Sequence, residues 1–160
     1  MEYTFKTLDE LDITEDLASV YSALLKQLFK KPEPPLTLVQ LAEVKERSDS
    51  ELVLFIYNKD EKIFGVAQIS YMCTPPKYQA YVNAVVIDKN ARGKGTGTIL
   101  MNQLIASAKK RWPKVRKVML TSGPRRGART FYERLGFVPR VPENDNETIV
   151  YVKDIGDYSS

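Results

Sequence analysis

Ala84-Val85-Val86-Ile87, four further residues, and then Arg92-Gly93-Lys94-Gly95-Thr96-Gly97 form the stretch whose reading decides the fold. The first four residues are apolar without alternation, as in a central strand buried on both faces. The three alternating glycines let the backbone turn sharply and bring its amides close to a ligand. After them Ile99, Leu100, Leu104, Ile105 and Ala108 recur with a helical period, up to Trp112-Pro113. A helix starting there points its unpaired amides and the positive end of its dipole at the loop, which suits a diphosphate. The spacing differs from two other phosphate loops. Gly93-x-Gly95-x-Gly97 is not the G-x-G-x-x-G of dinucleotide folds, and Lys94 is followed by Gly95 rather than Ser or Thr. A capped helix after a glycine-rich turn is the plainer reading of the same residues.

Upstream, Tyr3–Thr7 reads as a short strand. Asp12-x-x-Glu15 reads as a capping box for a helix running to about Phe29, with Leu17, Val20, Tyr21, Leu24, Leu25 and Leu28 on one face. The prolines at 32, 34 and 35 end it, and Thr37-x-x-Gln40 caps a second helix reaching about Arg47. Strands follow at Leu52–Tyr57, Ile63–Met72 and Tyr78–Ile87. Downstream of the glycine helix come a strand at Val115–Leu120, a helix at Ala128–Leu135 and a strand at Glu147–Val152. A further short strand is open near Phe137–Val141. The order βααβββαβαβ predicts an α/β (α+β) fold with a mixed central sheet and helices on both faces. Residues 1–160 read as a single domain.

Composition narrows the chemistry. The chain has 160 residues, enough to bury roughly 70% of its unfolded surface without disulfides or metal. It has one cysteine, Cys73, and no histidine, which excludes His-based triads and His metal sites; no metal is expected. The N-terminus lacks the apolar stretch of a signal peptide, and no apolar run approaches ~20 residues, so a cytoplasmic protein without membrane contact is expected. Charge is uneven. Residues 1–60 carry 7 Lys+Arg against 12 Asp+Glu, whereas residues 88–140 carry 14 against 2. A polyanionic partner follows, either a nucleic acid or a phosphorylated cofactor. Only Trp112 lies among the basic residues as a base-stacking group, which weighs against nucleic acid.

Two motifs carry a family resemblance. Arg92-Gly93-Lys94-Gly95-Thr96-Gly97 resembles the coenzyme A signature of the GNAT superfamily of N-acyltransferases, Q/R-x-x-G-x-G/A. Phe131-Tyr132-Glu133-Arg134-Leu135-Gly136-Phe137 resembles its second signature, F-Y-x-x-x-G-F. The resemblance covers residues 50–152 well and the first 50 only in element order. It implies an enzyme using acetyl-CoA as co-substrate, with a primary amine on a small molecule or peptide as acceptor. It implies that the amides of Gly93, Lys94, Gly95, Thr96, Gly97 and Thr98 hold the pyrophosphate, with Arg92 beside them. It implies that the main chain of Val85 and Ile87 holds the pantetheine arm and that Tyr132 gives a proton to the departing thiolate. Two positions depart from the family. Arg125 stands where relatives often have Asn, and it forms with Arg126 and Arg129 a cluster in reach of CoA phosphates or of solvent. Asn83 stands where many relatives carry a glutamate base. Asn83 cannot accept a proton, so its catalytic role is as a relay through water, with a carboxylate from elsewhere as the alternative base. A non-catalytic acyl-CoA-binding protein of the same fold is the competing reading. The acidic loop 142–147 favours a cationic acceptor, Lys30 and Lys31 oppose it, and a homodimer is left open.

Overall fold

The computed structural model describes residues 3–29, 33–123, 127–140 and 148–156. Seven strands form one sheet: β1 Thr4–Thr7, β2 Glu51–Tyr57, β3 Ile63–Thr74, β4 Lys77–Ile87, β5 Lys117–Ser122, β6 Val138–Arg140 and β7 Ile149–Asp154. Four helices accompany them: α1 Glu15–Leu28, α2 Leu38–Glu46, α3 Thr96–Arg111 and α4 Ala128–Arg134. The spatial order is β1-β2-β3-β4-β5-β7-β6. Every ladder is antiparallel except β4 with β5, which is parallel.

Alternation along β2 shows how the sheet separates two cores. Leu52, Leu54 and Ile56 pack with Leu100, Met101 and Leu104 of α3 and with Tyr132 and Leu135 at α4. Val53, Phe55 and Tyr57 pack on the other face with Leu17, Tyr21 and Leu24 of α1 and Leu41 of α2. Helices thus cover both faces, as expected. Removing a buried side chain such as Leu100 to Ala costs about 2–5 kcal/mol in such cores.

Several boundaries differ from the sequence reading. The cap of α1 is Thr14, whose hydroxyl accepts the Leu17 amide at 3.1 Å, not Asp12; a 3-10 turn at Leu8–Glu10 uses the preceding residues. The Thr37–Gln40 capping box is present in both directions. β5 begins at Lys117 rather than Val115, because the Val115 amide still bonds the Trp112 carbonyl as α3 unwinds. β7 starts at Ile149 and runs on to Asp154; Glu147 lies outside the described residues. The short strand near 137–141 exists as β6 and borders β7.

One irregularity sets up the site. Gln68 pairs with Ala84 and Ile69 with Val82, so Asn83 is an extra residue in β4 with no partner on β3. Such a bulge bends its strand and increases its twist. Past it β4 leaves β5. Their last ladder pair is Tyr81 with Met119, while β5 continues to Ser122 paired only with β7.

Candidate active site

The parting of β4 from β5 opens a cavity of about 470 Å³ on the α3 side of the sheet. It is lined by Val85 and Ile87 of β4, by Arg92, Gly93, Gly95, Thr96, Gly97 and Thr98, and by Gly127, Ala128, Phe131 and Tyr132 of the α4 region. Hydrogen-bond direction in β4 follows from one contact. The Asp88 amide donates to the Phe64 carbonyl of the β3 side at 2.8 Å. Main-chain groups alternate along a strand, so those of Val86 face β3 and those of Val85 and Ile87 face the open edge. Among the described residues no strand occupies that edge beyond Tyr81.

The loop presents its backbone. Gly93 and Gly95 have φ of 83° and 74°, in the left-handed region, and a Cβ at either would meet nothing within 4 Å. Gly95 is also the N-cap of α3 and has no side chain with which to bond the first-turn amides. The amides of Thr96, Gly97 and Thr98 therefore lack the partner that a Ser or Asp cap would supply. The Thr96 hydroxyl turns inward to the Ala91 carbonyl at 3.2 Å, so this residue offers the site only its main chain. Phe131 forms part of the wall across from Gly97, where an added Cβ would touch its ring at 3.5 Å.

Arg92 is held in place. Its Nε donates to the Ile87 carbonyl at 2.8 Å, and its Nη2 lies 3.4 Å from Oε1 of Gln27 in α1. Gln27 also accepts the Lys89 amide at 2.9 Å and donates to Asp88 at 2.8 Å. Helix α1 is thereby tied to the start of the glycine loop. The Ile87 carbonyl already accepts one bond from Arg92, which leaves its amide and both main-chain groups of Val85 as the open-edge partners.

Tyr132 lies on α4 among aromatic rings, with centroids at 5.2 Å from Phe131, 5.1 Å from Tyr151 and 6.1 Å from Phe137. The side chain is 9% exposed, and among the described residues its hydroxyl has no hydrogen-bond partner. Burial, chiefly, holds the neighbouring Tyr151 phenol above its usual range. Glu133 pairs with Arg129 at 2.7 Å, away from the cavity wall. Arg125 and Arg126 lie outside the described residues, as does the acidic loop 141–147.

Asn83 is exposed and does not line this cavity. Its partner Ser70 is on the α1 face of β3, since Ile69 and Tyr71 point into the α3 core. On that same face the Tyr81 hydroxyl meets the Thr121 hydroxyl at 2.7 Å, bridging β4 and β5 just where they part. Tyr71 is structural: it stacks on Trp112 at 5.0 Å between centroids. Trp112 itself is 5% exposed and donates to the Asp49 carbonyl at 2.8 Å, so it offers no platform for a nucleic-acid base. Of the basic stretch, Lys109 bonds the carbonyls of Pro113 and Val115, and Arg111 pairs with Asp9 at 2.9 Å. Phe131, Gln27 and Thr121 carry no motif of their own in the sequence; the first was legible only as part of the Phe-Tyr pair.

Known proteins share this fold. A Trypanosoma brucei acetyltransferase superposes with a TM-score of 0.69 at 23% identity, over 89% of this chain and 97% of the other. A chain of the NatC complex, solved with a Gag peptide and CoA, gives 0.72 at 15% identity, over 97% and 99%. Glucosamine-6-phosphate N-acetyltransferase from Arabidopsis thaliana gives 0.70 at 18% identity, over 90% and 97%. These likenesses establish the fold. A search of curated protein sequences finds no significant match. The model of the acetyltransferase (GNAT) family matches residues 15–137, well over half of the chain and all of the cavity-lining residues described above, and the chain belongs to that family.

Proposed function

We propose that the chain is an acetyl-CoA-dependent N-acetyltransferase acting on a primary amine by direct attack in a ternary complex, with Tyr132 as general acid. The observation that carries this reading is the coincidence, in one cavity, of an open strand edge, an uncapped helix N-terminus and an unpartnered phenol. Bound acetyl-CoA would supply the acyl group already activated as a thioester.

The residues present fit that group. The amides of Gly95, Thr96, Gly97 and Thr98, with Arg92 beside them, suit a diphosphate in charge and in their lack of other partners. The open edge at Val85 and the Ile87 amide suit a chain of amides such as pantetheine, and a donor there also stabilises a carbonyl oxygen as it gains charge. Tyr132 gives its phenolic proton to sulfur as the C–S bond breaks and regains one from solvent. The incoming nitrogen forms the new C–N bond and loses its proton to water. Two neighbours of the fold are consistent with the acceptor class, one named for an amino sugar phosphate and one solved with a peptide and CoA.

A screen for free-thiol release from acetyl-CoA against a panel of amines, from amino sugars to peptide N-termini, tests the proposal. Acceptor-dependent release is expected. Tight CoA binding with no release for any amine would favour a non-catalytic acyl-CoA-binding protein, the reading that Asn83 in place of a carboxylate motivates.

A further inference from the structure

Three polar side chains from three strands meet on the α1 face beside the bulge. The Ser70 hydroxyl lies 2.9 Å from Oε2 of Glu51 and 2.6 Å from Oδ1 of Asn83. Both contacts cannot be donated by Ser70, which has one hydroxyl proton. An ionised carboxylate accepts only, so the Ser70 proton goes to Glu51. Asn83 can complete the chain in one way. Its amide turns through 180°, exchanging Oδ1 and Nδ2 with little change of shape, and the NH2 donates to Ser70. The order is then Asn83 Nδ2–H to Ser70 Oγ–H to the Glu51 carboxylate. Each donor points toward the charge, and such chains polarise one another.

Glu51 is well placed to anchor this. It opens β2 directly opposite Ser70 in the ladder. Its amide donates to the Arg47 carbonyl at 2.7 Å, and its own carbonyl accepts from Arg111 at 3.4 Å. The adjoining Ser50 carbonyl takes the Tyr71 amide at 2.7 Å. Its carboxylate also acts on the buried Tyr21 of α1, whose phenol is pushed up first by burial and then by this charge. At the other end of the chain, Asn83 is the bulged residue itself, exposed where β4 departs from β5 and about 7 Å along the strand from Val85.

We infer that Glu51 and Ser70 are positioning residues that hold the Asn83 amide with its Oδ1 turned outward, as the acceptor for an N–H of the attacking amine. The inference rests on the N-acetyltransferase reading. Asn83 then needs no proton of its own: its carbonyl oxygen orients the amine nitrogen, and the displaced proton leaves through water. A glutamine at position 51 frees the chain to run either way, because its amide can accept from Ser70 or donate to it. In the reversed order Ser70 donates to Oδ1 of Asn83, and the NH2 of Asn83 faces the amine, donor against donor. An aspartate at position 83 is immune to the reversal, because both its oxygens accept.

Glu51→Gln should therefore raise the acceptor KM by about 2- to 10-fold, the range one hydrogen bond spans, with the acetyl-CoA KM unchanged. Ser70→Ala should match it. In an Asn83→Asp background Glu51→Gln should add nothing. In the unliganded protein one side-chain amide proton of Asn83 should be protected from exchange, and Glu51→Gln should shift the Asn83 resonances and weaken that protection. An unchanged acceptor KM with unchanged Asn83 resonances overturns the inference, and so does an equal penalty in both backgrounds. Absence of thiol release by the wild-type protein with every amine overturns the enzymatic reading instead, and the NMR arm then still decides the orientation of the amide.

Discussion

The two faces of the sheet at the Asn83 bulge are made of different material. On the α3 face, the site is almost all backbone: an open strand edge, two left-handed glycines and three first-turn amides. Arg92 and Tyr132 are the side chains proposed to act there. On the α1 face, the site is all side chain: Glu51, Ser70 and Asn83 in one cluster, Tyr81 and Thr121 in another. A backbone site is specified by what is missing, namely side chains, and it recognises groups common to every coenzyme A. A side-chain site can be rewritten residue by residue. On the proposed function, the first face suits a constant ligand and the second a particular acceptor.

The sharpest way to break the comparison is to add a side chain where the backbone must be bare. Gly97→Asp places a carboxylate beside the first-turn amides and against the Phe131 ring. CoA affinity should fall by at least about 100-fold in a folded protein, as titration calorimetry would read; each factor of ten is about 1.4 kcal/mol. Near-normal affinity would remove the loop from the donor site.

Next in size is an exception on the backbone face. Tyr132→Phe keeps the ring among Phe131, Phe137 and Tyr151 and removes only a hydroxyl that holds no partner among the described residues. Steady-state kinetics should show kcat lower by roughly 10- to 1000-fold, with the acetyl-CoA KM little changed. An unchanged kcat at several pH values would make Tyr132 a core residue.

The difference between the faces also explains what was legible in the sequence. The glycine loop, α3 and β4 are consecutive, so their chemistry lies within Ala84–Thr98 and could be read locally. Tyr132 is distant in the chain but carries its own Phe-Tyr motif. Nothing local marks Glu51 or Ser70. They are brought to Asn83 by strand register across the β2–β3 and β3–β4 ladders, and register was not legible. The bulge at Asn83 was likewise invisible, since no glycine or proline announces it. Thr14 displaced Asp12 as a cap because the neighbouring turn at Leu8–Glu10 took up the chain before it. The boundary of β5 slipped because apolar Val115 fills the core from the turn as well as a strand residue would.

Sharper still for the α1 face is Tyr81→Phe. It removes the hydroxyl bridge to Thr121 across the fork and leaves the ladder pair with Met119 intact. A loss of about 1 kcal/mol in stability is expected by chemical denaturation, with a several-fold change in acceptor KM and none for acetyl-CoA. Equal changes in both KM values would mean that the fork, not one face, had been disturbed.

The smallest effect lies away from both faces. Burial raises the Asp9 carboxyl, but hydrogen bonds from Thr7 and Arg111 and the Arg111 charge outweigh it and leave it below the usual range. A depressed folded pKa gives stability that is present above the unfolded value near 3.9 and lost as pH falls through the folded one. The pair is partly exposed, so Asp9→Asn should cost only about 0.2–1 kcal/mol at pH 6. The deficit should shrink toward pH 2, when urea midpoints of the two proteins are compared.

The most direct test of the account is an NMR titration of the labelled wild-type protein with CoA. The backbone amides of Val85, Ile87, Gly95, Gly97 and Thr98 should shift together and saturably, while those of Glu51 and Ser70 stay near their starting positions. Shifts centred instead on Lys109–Lys117, or spread over both faces without saturation, would contradict the assignment of the α3 face to the donor.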